Sequence, residues 1–256
     1  MFENCAESVS KAGRYLFTPF EYPRSFFRLA SLMASNRPLV RELVFLSEHK
    51  KWFTSNHFQT VIDVGGYIGA FTFAIREMLP EAQVYTFEPL PDNFAKIKEN
   101  HGGDPRVKTF NTALGDKRGE VDFWRSDFTP SSSILPMGEL HKQTFPHTAG
   151  STKVTVPTAR LDDFLTEMTY IGKTLLKIDV QGYEETVLRG AVETLKKVDS
   201  VITEVSFMPL YEGQATFDQL NDLLKGYGFV YSGSFETLLS PVDGSILQSD
   251  ALFVRQ

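Results

Sequence analysis

Cysteine is nearly missing: Cys5 is the only one in 256 residues. That excludes a disulfide within the chain and any zinc site of the CxxC kind. No run of about 18 apolar residues occurs, so the sequence offers no membrane-spanning helix. The first residues lack the basic start, apolar middle and cleavage site of a secretory leader, and a cytoplasmic location is expected. Positive charge is in deficit, with 26 Lys and Arg against 32 Asp and Glu and a net charge of −6. A general nucleic-acid binder normally shows the opposite balance. Internal repeats and low-complexity tracts are absent, and no feature speaks to oligomeric state. What is there is ordinary for a soluble protein, 42% hydrophobic and 23% charged, apart from a high Phe count of 22. The length fits one α/β-type core with a small appendage.

Residues 1–56 read differently from the rest. Arg14, Arg24, Arg28, Arg37 and Arg41 alternate with Phe17, Phe20, Phe26, Phe27, Leu29 and Leu32. Pro19, Pro23 and Pro38 cut them into short helical pieces. From Leu39 to Phe53 the spacing of Val40, Leu43, Val44, Leu46 and Phe53 predicts an amphipathic helix. A helical cap packed on the main domain is the plain expectation. A lid over a substrate pocket is the sharper one, ahead of a lipid-touching surface.

From residue 57 onward, strand-like and helical runs alternate. Strands are expected at Thr60-Val64, Gln83-Phe87, Val107-Asn111, Leu175-Val180, Ser200-Val205, Gly228-Ser232 and Ala251-Arg255. Helices fall between them at Ala70-Met78, Pro91-Asn100, Glu184-Leu188, Ala191-Lys197 and Phe217-Tyr227, with a short one at Leu161-Met168. This alternation implies βαβ crossovers and a mostly parallel sheet covered on both faces. The segment 117–158 is longer than a usual connection and has strand-like ends, Glu120-Arg125 and Lys153-Pro157. It follows the third strand, at the carboxyl edge where ligands bind in open α/β folds, and reads as a substrate-side flap. Aromatic residues of the cap and the flap (Phe17, Phe20, Phe26, Trp124, Phe128) are expected to line the acceptor pocket. Inside the flap, Ser131-Ser132-Ser133 reads as loop, and His141 and His147 as solvent-facing loop histidines.

The most specific feature is a strand, then Asp63-Val64-Gly65-Gly66-Tyr67-Ile68-Gly69, then a helix. Glycines there allow a sharp turn and close approach of a ligand, and the helix start offers free N–H groups. Glu88 follows Gly69 by 19 residues, at the tip of the second strand. A carboxylate in that place accepts hydrogen bonds from ribose hydroxyls. Both NAD and S-adenosylmethionine (SAM) fit this outline. The nicotinamide fingerprint would need a glycine at position 64, which is Val64. Asp63 would repel a pyrophosphate but attract the ammonium of a methionine moiety, which favours SAM. Thr112 and Ala113, after Asn111 at the end of the third strand, stand where adenine would lie.

These residues resemble the FkbM-type class I methyltransferases from about Thr60 to Gln256. The shared landmarks are IDVGGYIGAFT (62–72), TFEPLPDNF (86–94), NTALGD (111–116), ARLDDFL (159–165), LLKIDVQGYEETVLRGA (175–191) and ITEV (202–205). The family more often has Ala-Asn at positions 66–67 and Glu at 181, where this chain has Gly66-Tyr67 and Gln181. The resemblance implies a Rossmann-like seven-stranded sheet with an antiparallel last strand and helices on both faces. It also implies SAM as cofactor and O-methylation of a small-molecule acceptor, a natural product or a saccharide.

An aliphatic hydroxyl holds its proton about as tightly as water, with a pKa of about 15.7, so a group must take that proton during transfer. Asp179 and Glu204, at the ends of apolar strands, are the expected catalytic carboxylates. The plainer reading of Asp179 is an ion pair with Lys177 or a helix cap. Together the two carboxylates could bind a divalent cation, but two are few for a metal cage, and the metal-free mechanism is favoured. A nicotinamide oxidoreductase and a non-catalytic SAM-binding module are the competing classes, the first disfavoured by Asp63 and Val64.

Overall fold

The computed structural model describes residue 45 and residues 48–256. Most of the expected cap over 1–56 therefore lies outside the described residues, including its arginines, its prolines and Phe17, Phe20 and Phe26. Its end is helix α1 (Lys50–Asn56). Phe45 and Phe53 are buried there, with ring centroids 5.7 and 6.1 Å from Phe235.

Beyond α1 the chain alternates as expected: β1 (Phe58–Val64), α2 (Ala70–Met78), β2 (Gln83–Phe87), α3 (Pro91–His101) and β3 (Val107–Phe110). Then come β4 (Ala113–Leu114), β5 (Gly119–Ser126), α4 (Glu139–Thr144) and β6 (Ser151–Ala159). The second half runs β7 (Lys173–Ile178), α5 (Glu184–Arg189), α6 (Val192–Leu195), β8 (Ser200–Ser206), α7 (Phe217–Gly226), β9 (Phe229–Leu239) and β10 (Ile246–Arg255). The segment expected as a short helix at 161–168 is a 3-10 turn over Leu161–Phe164. The last two strands extend well past the expected limits, because their hairpin continues beyond the apolar residues that marked them.

Seven strands form one sheet in the order β3-β2-β1-β7-β8-β10-β9. All neighbours from β3 to β8 pair in parallel, and β10 runs antiparallel to both β8 and β9. Strand β1 is central and almost wholly buried, which explains its continuous apolar run. On one face Ile62, Leu176, Val205, Leu220 and Phe253 form a core; on the other, Val61, Ile75, Leu175, Ile202 and Leu252 form a second. Each large apolar side chain so buried contributes about 1.5–3 kcal/mol. The strand order reverses between β1 and β7, and a crevice opens at that point beyond their carboxyl ends.

The 117–158 segment is more ordered than a long loop. Strands β5 and β6 pair antiparallel, and β4 joins β6 in parallel, making a second sheet in the order β4-β6-β5. Phe123 and Val156 turn inward and pack on Ala113 and Leu90, so the small sheet shares a core with the start of α3. Trp124, next in the alternation, faces the other way beneath Lys153 (5.6 Å from Nζ to the ring), and Phe128 is exposed. Of the aromatic residues expected at the acceptor pocket within the described residues, neither is placed in the cleft; Phe123 is there instead.

Candidate active site

Register places the glycine turn against the end of β7. Val64 pairs with Ile178, and the Asp179 N–H donates to Val64 O at 3.0 Å. Gly65 has φ 86°, and a Cβ there would stand 1.9 Å from Asp179 O. At Gly66 a Cβ would meet Thr86 Cγ2 at 2.2 Å. Gly69, with φ 82°, caps α2 and faces His101 Nε2, which a Cβ would approach to 2.8 Å. The N–H groups of Gly65 and Gly66 both donate to Phe87 O, at 3.0 and 2.9 Å. The glycines were expected to admit a ligand; most of their necessity is instead packing of the turn onto β2, β7 and α3.

Glu88 is the best-held polar group of the cleft. It is 5% exposed, and its carboxylate accepts from the N–H of Tyr67 (3.0 Å), the N–H of Leu90 (3.0 Å) and Asn93 Nδ2 (3.3 Å). Asn111 Nδ2 donates to Glu88 O and Pro89 O, both at 2.9 Å, tying the end of β3 to the end of β2. Burial pushes the carboxyl up to about 7, against the lowering effect of its three donors. Glu88, Thr112 and Ala113 all line the cleft, as do Gly65 and Tyr67. Tyr67 adopts φ 49°, and its hydroxyl lies 3.3 Å from Thr129 Oγ1 of the flap. Thr129, Pro130 and Ser132 border the same cleft.

Asp63 departs from expectation. Its side chain is wholly buried, with Oδ2 accepting from Thr72 Oγ1 at 2.9 Å, and it presents no surface to the cleft. Burial raises its carboxyl above the ordinary value, with Lys177 and Thr72 acting against that. Strand parity makes residue 63 point under the turn, onto α2, rather than into the cleft.

The two expected catalytic carboxylates take different places. Asp179 borders the cleft and keeps 36% of its side chain exposed. The expected pairing with Lys177 exists (Nζ to Oδ2, 3.4 Å), and it coexists with the open face. Glu204 stands one layer behind, not among the cleft-lining side chains. It accepts from Gln248 Nε2 at 2.8 Å, and Gln181 Nε2 lies 3.3 and 3.4 Å from its two oxygens. Burial first, then Asp179, Glu184 and Asp250, push its carboxyl well above the ordinary range.

Three residues went unassigned in the sequence. Gln181 bridges Asp179 and Glu204, Tyr211 holds Gln181 from the other side, and Ser133 binds the Gln181 backbone. Only the Gln181-Gly182 pair, a turn just past a strand, carried a local signal. His141 also corrects an expectation: it is buried in α4, its ring 5.2 Å from that of Tyr211, and burial pushes it down to about 4. His147 is exposed, as expected.

A family model described as methyltransferase FkbM domain matches residues 63–231. Over 178 residues the chain is 33% identical to 2-O-methyltransferase NoeI of Sinorhizobium fredii, covering 66% of this chain and 72% of that protein. It is 27% identical over 194 residues to the 31-O-demethyl-FK506 methyltransferase FkbM of Streptomyces tacrolimicus, covering 66% and 72%. A further similarity, 29% over 144 residues, is to hexuronic acid methyltransferase AglP of Haloferax volcanii, covering 56% and 54%.

Proposed function

The chain belongs to the methyltransferase family defined by the FkbM domain, and from that premise we propose that it methylates a hydroxyl of a saccharide or natural product, using SAM. The observation that carries this reading is the sharing of one cleft by Glu88 and the open side chain of Asp179. The residues present fit SAM. Glu88, fixed by three donors, suits the two ribose hydroxyls. Thr112, Ala113 and Leu114 offer a small, largely apolar wall for adenine. When bound, SAM supplies an electrophilic methyl carbon on a positively charged sulfur.

Most of the rate in such a transfer comes from aligning the acceptor oxygen. Asp179 then receives the hydroxyl proton as that oxygen is methylated. Lys177 Nζ and Gln181 Nε2 each face one of the Asp179 oxygens, at 3.4 and 2.8 Å. The activities for which the relatives NoeI and AglP are named, 2-O-methylation and hexuronic acid methylation, support an oxygen acceptor on a sugar. The net charge of −6 makes nucleic acid the less supported acceptor class.

The test is methyl transfer from labelled SAM to a panel of saccharides and polyketides, alongside calorimetric titration with S-adenosylhomocysteine. Transfer by the wild type and about a thousandfold slower transfer by Asp179→Asn, with similar binding of S-adenosylhomocysteine by both, is the expected pattern. Full transfer by Asp179→Asn would remove Asp179 from the mechanism. Loss of wild-type transfer on adding EDTA would favour a divalent cation at Asp179 and Glu204.

A further inference from the structure

We propose that Gln181 is the positioning residue for Asp179, and that through Gln181 and Tyr211 the 117–158 flap sets where the proton acceptor points. The inference rests on the methyl-transfer reading for its meaning, though its test does not need an acceptor.

The side chain of Gln181 can be oriented without ambiguity. Its Nε2 lies 2.8 Å from Asp179 Oδ1 and 3.3–3.4 Å from both oxygens of Glu204. Turning the amide over would set its oxygen against two carboxylates, so the N–H side faces them. Oε1 then faces the Tyr211 hydroxyl at 2.9 Å. Tyr211 is 2% exposed, and burial together with Glu204, Glu184 and Asp179 pushes its phenol well above the ordinary value. It therefore stays protonated, its hydrogen directed between Gln181 Oε1 and Ser131 O, the latter 3.1 Å away.

The backbone is held as firmly. Gln181 adopts φ 57°, a conformation that costs a non-glycine residue about 1–2 kcal/mol. Ser133 Oγ donates to its carbonyl at 2.6 Å, and the buried Glu184 carboxylate accepts from the N–H groups on either side, Val180 (3.2 Å) and Gly182 (3.0 Å). Ser133 is itself bridged to Trp124 of β5 by both backbone bonds, 2.7 and 3.1 Å. The 117–158 flap thus grips Gln181 at main chain through Ser133 and, through Ser131 and Tyr211, at side chain. Position 181 uses strain and two flap contacts to aim one amide at Asp179.

Among the described residues, the charged and titratable groups around Asp179 include Lys177, Glu204, Glu184, Asp63 and Tyr211. Among them Lys177 favours the ionised form, and the carboxylates oppose it. The Gln181 N–H adds to the side of Lys177 without adding charge, which lets the neighbouring Glu204 remain close.

Asp179 can be titrated in the protein alone by carboxyl carbon NMR, its resonance assigned by its loss in Asp179→Asn. Gln181→Met keeps the length of the side chain and removes the donor. The Asp179 midpoint is expected to rise by about one unit. Gln181→Glu replaces the donor with a further negative charge and should raise it more. Tyr211→Phe, which frees Oε1, should raise it less but in the same direction. A midpoint unmoved in Gln181→Met and Gln181→Glu overturns the positioning role; one unmoved in Tyr211→Phe overturns the link to the flap. Should Gln181→Met fail to fold, the other two variants decide. Failure of the wild type to bind S-adenosylhomocysteine would sink the methyl-transfer reading separately, with the titration still deciding the role of Gln181.

Discussion

The two rims of the cleft are assembled in different ways. The first, from β1, β2 and β3, is made by residues close in sequence: the turn 65–69, Glu88 and Thr112-Ala113, each at the end of its own parallel strand. The second, from β7, β8 and the small sheet, is made by residues brought from afar. Ser133 meets Gln181 across 48 positions, and Tyr211 meets Ser131 across 80. The first rim is rigid because its glycines and Glu88 are locked by backbone contacts. The second rests on side-chain hydrogen bonds between separate elements, and substitutions there should alter chemistry more than folding.

Substitutions can break that contrast from either side. The largest effect is expected at Asp179, where Asp179→Asn should lower turnover by about a thousandfold in a labelled methyl-transfer assay while leaving the fold intact. On the first rim, Gly65→Ala should act on the fold. Its Cβ would lie 1.9 Å from Asp179 O at φ 86°, and a loss of about 3 kcal/mol or more is expected in denaturant unfolding.

Glu88 sharpens the contrast, since it should trade stability for binding. Glu88→Ala removes two charge-assisted acceptors and should weaken S-adenosylhomocysteine by about a hundredfold in calorimetry. Glu88→Gln should melt higher than the wild type at pH 8 and nearly the same at pH 5. The sign follows from its carboxyl being raised from 4.5 to about 7. Between those values the folded state binds the extra proton, so stability falls as pH rises through the window. The full cost above it is about 3 kcal/mol, of which the lost Tyr67 contact offsets part in the variant. The smallest effect is on the wild type itself: affinity for S-adenosylhomocysteine should decline gradually as pH drops below about 7, where Glu88 takes up its proton.

Legibility in the sequence followed the same division. The alternating strands and helices and the first rim could be read, because strand ends, glycines and Glu88 carry local signals; the antiparallel final strand came only from the family resemblance, and the sheet order was not read. Asp63 was misplaced because its charge was read without the parity that turns it beneath the strand onto Thr72. Asp179 was found as a carboxylate after an apolar run. Its partnership with Gln181 and Tyr211 was not, since nothing near Tyr211 in sequence marks a contact 30 positions away. The flap was recognised by its strand-like ends, yet its middle was read as loop. The burial of His141 depends on α4 packing against Tyr211, which no local pattern announces.

What the cleft beside Glu88 binds decides most directly between a SAM site and a nicotinamide site. Calorimetric titration of the wild type with S-adenosylhomocysteine and with NAD, in parallel, measures this. Saturable binding of S-adenosylhomocysteine at one site per chain, about a hundredfold weaker in Glu88→Ala, and none of NAD is the expected result. Binding of NAD alone would contradict it.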